Sequence, residues 1–501
     1  MERKYKMNNL ANKLILNYEK NPNKVCIIQK DKSVTYKDLY NIVANFKEYL
    51  IKKGIKKGDK VLVLVPMSIE LYSALLAVWA IGAIPCFMDA GFIKSGMQKN
   101  DFDDITAIIG ITKYIAYSNI NKNLRKLKIK VNVNNACDVS DEKLNVEEVE
   151  NDFPAILTYT SGTTGKPKIA ARTHEFLENQ GCVLEENLNY ELDDIELSSM
   201  PIFTLCNINV GITTVITDGN FSALGKSNPV KIVDQIKENH INRVMAAPGL
   251  LTVIVNYCIK NNIKLELVKK IYTGGGAVFV DFINKLKNVF PNAQIVTLYG
   301  STEAEPIAEI NVNEFEESDI QKIKNGYGIL AGMVTGVEDC KLIQTGIDVI
   351  GDISKDDFEE LVQEIGEIVV TGKNVLKGYV GGIGDKENKF SVDGVKYHRT
   401  GDLGFFDNKG RLWLKGRIKE PYFDIESALH LEFDIGKTAV FDNDGKIILV
   451  LENKDIQEEE IRKAVSFRKI DQIVYVKKIP VDKRHNTKVD YKALRKLLKI
   501  N

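Results

Sequence analysis

Leu157-Thr-Tyr-Thr-Ser-Gly-Thr-Thr-Gly-Lys-Pro-Lys168 packs four hydroxyl residues (Thr160, Ser161, Thr163, Thr164), two glycines (Gly162, Gly165) and two lysines (Lys166, Lys168) into nine consecutive positions. The apolar residues ahead of it predict a strand that runs into a loop. Glycines let backbone amides turn toward a ligand, and hydroxyl and ammonium groups add donors. Such a loop is equipped to grip a polyphosphate. It is not a Walker A loop, which needs four residues between its glycines and then Lys-Ser or Lys-Thr entering a helix. Here two residues separate Gly162 from Gly165, and Pro167 follows Lys166. The reading is a flap over phosphates. An ordinary polar hairpin turn is the bland alternative, but random turns rarely collect this many donors.

Outward from this loop, short β-rich runs alternate with helical patterns. Val25–Ile28, Lys60–Val65, Ala107–Ile111 and Tyr114–Ala116 are predicted strands, and Ser33–Leu39 a strand entering a capped helix that ends near Gly54. The uncharged run Leu71–Phe87 is bracketed by Glu70 and Asp89 and falls short of the ~20 residues that span a bilayer, so it predicts a buried helix followed by a strand. Downstream, Gly211–Ile216, Arg243–Pro248, Lys270–Gly276 and Gln294–Gly300 read as strands and Val230–Asn239 as a helix. Three of these strands end in polar or glycine-rich loops, and open α/β sheets bind ligands at the carboxyl ends of their strands. After about residue 325 the chain turns β-rich, with Glu367–Thr371 and Arg411–Leu414 as strands, and the acidic segment 138–151 reads as a solvated connection.

The expected fold class is therefore α/β. A large domain, residues 1–415, would hold layered α/β subdomains with mostly parallel sheets plus a β-rich subdomain, and residues 416–501 a small, mobile α+β domain.

A length of 501 residues exceeds one ordinary core. The 68 basic residues balance 68 acidic ones, which argues against a dedicated nucleic-acid binder. Seven dispersed cysteines without a Cys-x-x-Cys pair read as reduced thiols of a cytoplasmic protein, and the five histidines show no metal-ligand spacing. The start, Met-Glu-Arg-Lys-Tyr-Lys, lacks the apolar stretch of a signal peptide.

The Thr160–Lys168 run resembles the phosphate loop of the adenylate-forming (AMP-binding) enzymes. These include acyl-CoA synthetases, luciferase-type enzymes, peptide-synthetase adenylation domains and olefin-pathway beta-lactone synthetases. Ile169 stands where that family usually has glycine, which removes no donor. Further segments match the family in order over nearly the whole chain. Thr273-Gly-Gly-Gly-Ala277 resembles the adenine-side turn, with Gly275, Gly276 and Ala277 at the base. Leu298-Tyr-Gly-Ser-Thr-Glu-Ala-Glu-Pro306 resembles the next motif. That likeness implies that Tyr299 stacks on adenine beside Gly300 and Ser301, that Thr302 contacts the α-phosphate region, and that Glu303 helps hold Mg²⁺. A hard cation wants carboxylate and phosphate oxygens together, and Mg²⁺ usually takes one or two protein carboxylates. Tyr397-His-Arg-Thr-Gly-Asp-Leu-Gly404 resembles the ribose motif, which gives Asp402 the ribose hydroxyls. Gly366-Glu-Ile-Val-Val and Gly378-Tyr379 resemble a structural motif upstream. Gly416-Arg-Ile-Lys-Glu420 resembles the hinge between domains, with Arg417 reaching ribose or phosphate. Val481-Asp-Lys-Arg-His-Asn-Thr-Lys-Val-Asp490 resembles the C-terminal lysine motif, in which Lys488 bridges the substrate carboxylate and the α-phosphate.

The resemblance implies ATP- and Mg²⁺-dependent activation of a carboxylic acid as acyl-adenylate, with pyrophosphate leaving. Catalysis would rest on positioning and charge stabilisation by Lys488, Glu303 and Thr302. Met200–Gly211 and Ala246–Gly249 would line the acid site through Phe203, Thr204, Asn209, Gly211, Ala247 and Pro248, with Ala304 nearby. These stretches are mainly apolar and carry no lysine or arginine, which suits a fatty or aryl acid. The acyl group would then pass to CoA or to the phosphopantetheine of an acyl carrier protein. Pro201-Ile-Phe-Thr, Gly300–Pro306 and Pro480–Lys488 look closest to the beta-lactone synthetases, which adenylate a 3-hydroxy acid whose own hydroxyl displaces AMP. After Arg417, Pro421-Tyr-Phe-Asp replaces the glycine-containing loop usual in thioester-forming members, which puts CoA in doubt. A P-loop-like NTPase or phosphotransferase, or a catalytically silent nucleotide-binding protein, are the alternatives of another class.

Overall fold

The computed structural model of the chain describes residues 8–88, 104–135, 143–160, 168–221, 223–348, 351–452, 454–481 and 488–500. The chain divides into two compact units, residues 1–216 with 373–389, and residues 217–372 with 390–501.

The first unit contains β1 (Val25–Gln29), β2 (Lys32–Thr35), β3 (Lys60–Leu64), β4 (Ile84–Met88), β5 (Ile105–Gly110), β6 (Ile129–Asn132), β7 (Pro154–Thr160), β8 (Lys168–Thr173), β9 (Ile195–Ser198) and β10 (Thr213–Ile216). One sheet has the order β6-β5-β3-β4-β7-β8 and is parallel until β8, which runs antiparallel to β7. Parallel neighbours need crossovers, and a helix supplies each more economically than loop. The uncharged run forms the buried helix Ile69–Ala80 between β3 and β4, and its fully buried Trp79 donates Nε1–H to the Ala155 carbonyl at 2.7 Å. Strands β9, β10 and β1 are also parallel, with β2 folded back on β1. Helix Tyr36–Lys52 opens on a reciprocal cap, in which Asp38 N–H donates to Thr35 Oγ1 at 3.1 Å and Thr35 N–H to Asp38 Oδ2 at 2.9 Å.

Two expectations fail in this unit. Tyr114–Ala116 is not a strand but the middle of helix Thr112–Ile120. Three apolar residues cannot fix a period, and the parallel pairing of β5 with β6 demands a crossover at this place. The described part of the acidic connection, residues 143–151, is pinned rather than merely solvated. Leu144 and Val149 are buried, and Leu144 N–H donates to Tyr40 Oη at 2.9 Å.

His174 is a buried neutral histidine here. Its Nδ1 accepts from Leu10 N–H at 3.2 Å, and its ring lies against Trp79 and Phe153. Burial pushes its pKa down to about 4. The unfolded chain binds this proton near the ordinary value of about 6.5, so the unfolded state holds more protons between the two values. The associated stability, on the order of 3 kcal/mol, is present above pH 6.5 and is lost as the pH falls toward 4. His174→Gln keeps an acceptor but does not titrate. Its Tm should fall less steeply over that range than the wild type's, and parallel Tm curves would contradict the assignment.

The second unit contains β11 (Arg243–Met245), β12 (Lys270–Gly274), β13 (Gln294–Ser301), β14 (Ala304–Asn311), β15 (Ile329–Val334), β16 (Asp339–Ile343), β17 (Asp352–Ile353), β18 (Ile365–Thr371), β19 (Lys389–Val392), β20 (Val395–Phe406), β21 (Leu412–Arg417), β22 (Thr438–Asn443), β23 (Lys446–Leu451) and β24 (Gln472–Tyr475). Strands β11, β12 and β13 are parallel. From β13 the sheet continues antiparallel through β14, β15, β21, β20, β18 and β16, which is the β-rich stretch expected after residue 325. The C-terminal residues build a separate sheet, β22-β23-β24. Val440, Leu449 and Leu451 on one face pack with Ile425, Leu429 and Ile461, while Phe441, Ile448 and Val450 on the other pack with Leu494. This period-two alternation lets one small sheet carry helices on both faces, the expected α+β arrangement.

Candidate active site

The parallel register of β11, β12 and β13 sets three carboxyl ends along one edge of the sheet. Thr273 faces Thr297 and Gly274 faces Leu298, so the turn after β12 and the turn after β13 are neighbours. A Cβ on Gly274 would stand 2.4 Å from the Leu298 carbonyl, so the close approach of the two strands requires glycine there. Gly275, at φ +77°, turns the chain, and Gly276 and Ala277 follow. Ala247 and Pro248 begin helix Pro248–Lys260 just past β11, so the strand is shorter than expected and Pro248 occupies the first helical turn.

Tyr299, Gly300 and Ser301 end β13. Thr302 and Glu303 make the turn, and Ala304, fully buried, opens β14 opposite Ser301. Glu303 N–H donates to Ser301 Oγ at 3.2 Å, which holds the tight turn. Among the described residues no group of three or more His, Cys, Asp or Glu gathers around a common point. Glu303 stands in this turn as a carboxylate, and Mg²⁺ usually takes one or two such groups with phosphate and water oxygens completing its shell.

Asp402 is where distant segments meet. Antiparallel pairing of β20 with β21 sets it directly opposite Arg417, whose Nε lies 3.2 Å from Asp402 Oδ1. Tyr299 donates its hydroxyl to Asp402 Oδ2 at 2.8 Å. Burial raises the Asp402 carboxyl, while the Arg417 charge, the Tyr299 hydrogen bond and the charge of Lys488 pull it back. Burial and the adjacent carboxylate push the Tyr299 phenol well above its ordinary value, which keeps it a donor. Lys488 is exposed. It lies next to the bridge between Val481 and Val489 and just ahead of helix Tyr491–Leu498, whose N-cap is Asp490. Residues from 299, 402, 417 and 488 thus share one electrostatic neighbourhood.

The remaining candidates lie in the first unit. Thr160 ends β7 and pairs with Lys168 of β8, so the phosphate-loop candidate connects two antiparallel strands. Ser161, Gly162, Thr163, Thr164, Gly165 and Lys166 lie outside the described residues. The Lys168 ammonium stands 5.5 Å from the centre of the Tyr379 ring. Met200–Gly211 is mostly helix, Pro201–Val210, with Phe203 and Thr204 fully buried. Asn209 gives its carbonyl to Asn17 Nδ2 at 2.8 Å. Gly211 ends the helix at φ +96°, where a Cβ would crowd Asn17 Oδ1 at 3.0 Å. These two residues have local structural work that the sequence did not announce.

Comparison with known proteins bears on this arrangement. A family profile described as AMP-binding enzyme matches residues 16–380. The chain is 26% identical over 403 residues to an olefin beta-lactone synthetase of Stenotrophomonas maltophilia (strain K279a), covering 76% of this chain and 71% of that one. It is 23% identical over 499 residues to 4-coumarate-CoA ligase 1 of Narcissus pseudonarcissus, covering 91% and 88%. Among solved structures, ATP-bound MatB from Rhodopseudomonas palustris superposes with a TM-score of 0.78 at 17% identity, covering 98% of this chain and 99% of that one. O-succinylbenzoate coenzyme A synthetase (MenE) from Bacillus subtilis, in complex with AMP, superposes with a TM-score of 0.74 at 19% identity, covering 98% of each chain. At these identities the structures speak for the fold. No helix among the described residues is long and apolar enough to cross a membrane.

Proposed function

The chain belongs to the AMP-binding enzyme family and is an AMP-forming acid ligase, and from that premise we propose that it activates an apolar carboxylic acid, fatty or aryl, as an acyl-adenylate and passes the acyl group to a thiol. The convergence on Asp402 carries this reading. A carboxylate held by Tyr299 and Arg417, with Lys488 within electrostatic reach, suits a vicinal diol beside a phosphate.

Asp402 would accept the ribose hydroxyls, and the Gly275–Ala277 turn with Tyr299 would flank the base. Thr302 would donate to the α-phosphate, and Thr160–Lys168 would cover the outer phosphates. Mg²⁺, when bound, neutralises phosphate charge, and Glu303 is the residue here that would hold it. The acid would lie against the Pro201–Val210 helix, Ala247 and Pro248. Its carboxylate meets like charge as it nears the α-phosphorus, and Lys488 would stabilise that approach. No protein nucleophile takes part. Residues 1–415 would act as the large domain and 416–501 as the small domain that brings Lys488, in a cytoplasmic enzyme whose acceptor is CoA or a carrier protein.

A second reading has its own support. The segment after Arg417 is closed on itself, since Glu420 N–H donates to the Arg417 carbonyl at 3.0 Å and the Pro421 carbonyl accepts from Arg468 at 3.1 Å. Together with the likeness to a beta-lactone synthetase, this favours a 3-hydroxy acid whose own hydroxyl closes the ring.

Incubation with ATP, Mg²⁺ and a panel of fatty, aryl and 3-hydroxy acids, read by mass spectrometry, should yield acyl-AMP and pyrophosphate. Release of ADP and phosphate, or silence with every acid, would count against the proposal. Adding CoA, a holo carrier protein or neither then separates thioester from lactone. Glu303→Gln should raise the Mg²⁺ concentration for half-maximal pyrophosphate exchange by at least about tenfold, the scale on which even outer-shell partners alter metal affinity. An unshifted Mg²⁺ titration would remove Glu303 from that role.

A further inference from the structure

Between β18 and β20 the register slips. Glu367 pairs with Leu403 and Val369 with Arg399, so Ile368 alone on β18 faces Thr400, Gly401 and Asp402 on β20. The extra residues form a bulge, and bulges re-aim side chains beside functional sites. Gly401 sits in it at φ +72°. A bulge frees backbone groups from the ladder, and each needs a new partner. Here Gly401 N–H donates to Glu367 Oε1 at 3.2 Å, and Arg399 Nε donates to Glu367 Oε2 at 2.9 Å. Thr400 Oγ1–H donates to the Ile368 carbonyl at 2.8 Å and accepts from Asp402 N–H at 3.1 Å. The Thr400 carbonyl accepts from Arg417 Nη1 at 2.8 Å, and the Gly401 carbonyl from Ile418 N–H at 3.1 Å. Arg399 is steadied in turn by donating Nη1–H to the Ile347 carbonyl at 3.1 Å.

We infer that Glu367 is a positioning residue: its buried carboxylate, paired with Arg399 and capping the Gly401 amide, holds the bulge that aims Asp402 at its ligand. An aspartate is one methylene too short to meet both donors, and a glutamine would turn an amide N–H₂ toward the guanidinium that needs an acceptor. The inference rests on the reading that Asp402 holds the nucleotide. It adds that Asp402 is aimed by a group that never touches the nucleotide.

A double-mutant cycle tests it with the full-length protein. The dissociation constant for Mg-ATP is measured by calorimetry in the wild type, Glu367→Gln, Asp402→Asn and the double variant. Each single change should weaken ATP about tenfold, and the double variant should be no weaker than Asp402→Asn within about twofold, because coupled residues fail to add. A Glu367 that served only general stability would leave the ATP affinity of Glu367→Gln unchanged, and one acting independently of Asp402 would give additive losses; either result overturns the inference while leaving Asp402 as a nucleotide contact. Unchanged ATP affinity in Asp402→Asn overturns the nucleotide reading itself and this inference with it. Should Glu367→Gln fail to fold, Thr400→Val removes the Asp402 N–H acceptor without touching the ion pair. The same non-additivity with Asp402→Asn is then expected, and additivity is again the overturning result.

Discussion

Lys488→Ala should slow acyl-adenylate formation by roughly 10²–10³-fold while leaving ATP binding nearly intact, the cost of removing one preorganised electrostatic partner from a transition state. The reasoning is Coulombic. A carboxylate brought to about 4 Å from a phosphate oxygen meets about 4 kcal/mol of repulsion at an effective dielectric constant of 20, and a lysine placed between them reverses the sign of that local field. Lys488 already acts on this neighbourhood, since its charge is felt by Asp402 although 86 residues separate them in sequence. It directly precedes Val489, which bridges to Val481, and the Asp490-capped helix follows, so the C-terminal side of Lys488 is tied to paired backbone. Single-turnover formation of acyl-AMP with an accepted acid, beside calorimetric ATP titration, reads the two quantities separately. Equal losses in both would make Lys488 a general nucleotide contact, and no loss in either would remove it from the chemistry. Lys488→Arg keeps the charge but spreads it over a planar fork, so only partial recovery is expected.

How much of this was legible in the residues depends on what kind of signal each feature carries. The parallel core was plain because strands such as Lys60–Leu64 and Arg243–Met245 are short apolar runs bounded by turn residues. The edge holding Gly275 and Thr302 was plain because glycine and hydroxyl residues there follow directly on such runs. Tyr114–Ala116 was not, because its helical state is dictated by the pairing of strands on either side rather than by its own three residues. The helix Pro201–Val210 was not plain either, because Phe203 to Ile208 are buried all round, Thr204 and Asn207 included, so no polar face marks a helical period.

The site divides along the same line. Tyr299, Asp402, Arg417 and Lys488 were each singled out through resemblance to a family motif, but nothing in one sequence states that a phenol donates to that carboxylate. The bulge at Thr400–Asp402 was invisible, because it depends on a register between strands more than 30 residues apart. Glu367 therefore read as a strand residue within a structural motif, and Arg399 as the middle of the ribose motif, with nothing to join the two. Local chemistry survives in the sequence, whereas pairing register is a property of the folded sheet.

Arg411→Ala should cost about 3–5 kcal/mol, the usual price of stranding buried charge. Arg411 donates from Nη1 to Asp319 Oδ2 at 2.9 Å and from Nε to Asp407 Oδ2 at 3.0 Å, and it closes the Asp319 pair with a second bond from Nη2. Trp413 Nε1–H adds a bond to Asp407 Oδ2 at 3.1 Å. Burial alone would raise the Asp407 carboxyl, but the Arg411 and Trp413 donors win and hold it well below the ordinary carboxylate range. The side chains of Asp319 and Asp407 are only 0% and 3% exposed, so without Arg411 two carboxylates stay in the protein and share Lys322, whose ammonium lies 3.4 Å from Asp407 Oδ2 and 4.0 Å from Asp319 Oδ1. The loss reaches the candidate site, because Arg411 lies at the turn joining β20, which bears Asp402, to β21, which bears Arg417. At about 2–4 °C per kcal/mol for a unit of this size, the thermal midpoint should drop by roughly 10 °C. Replacing the whole cluster, Arg411→Met with Asp319→Asn and Asp407→Asn, should recover most of that drop, since the penalty comes from unpaired charge rather than from lost attraction. A single Arg411→Ala variant that melts within a degree or two of the wild type would show that water or Lys322 satisfies both carboxylates.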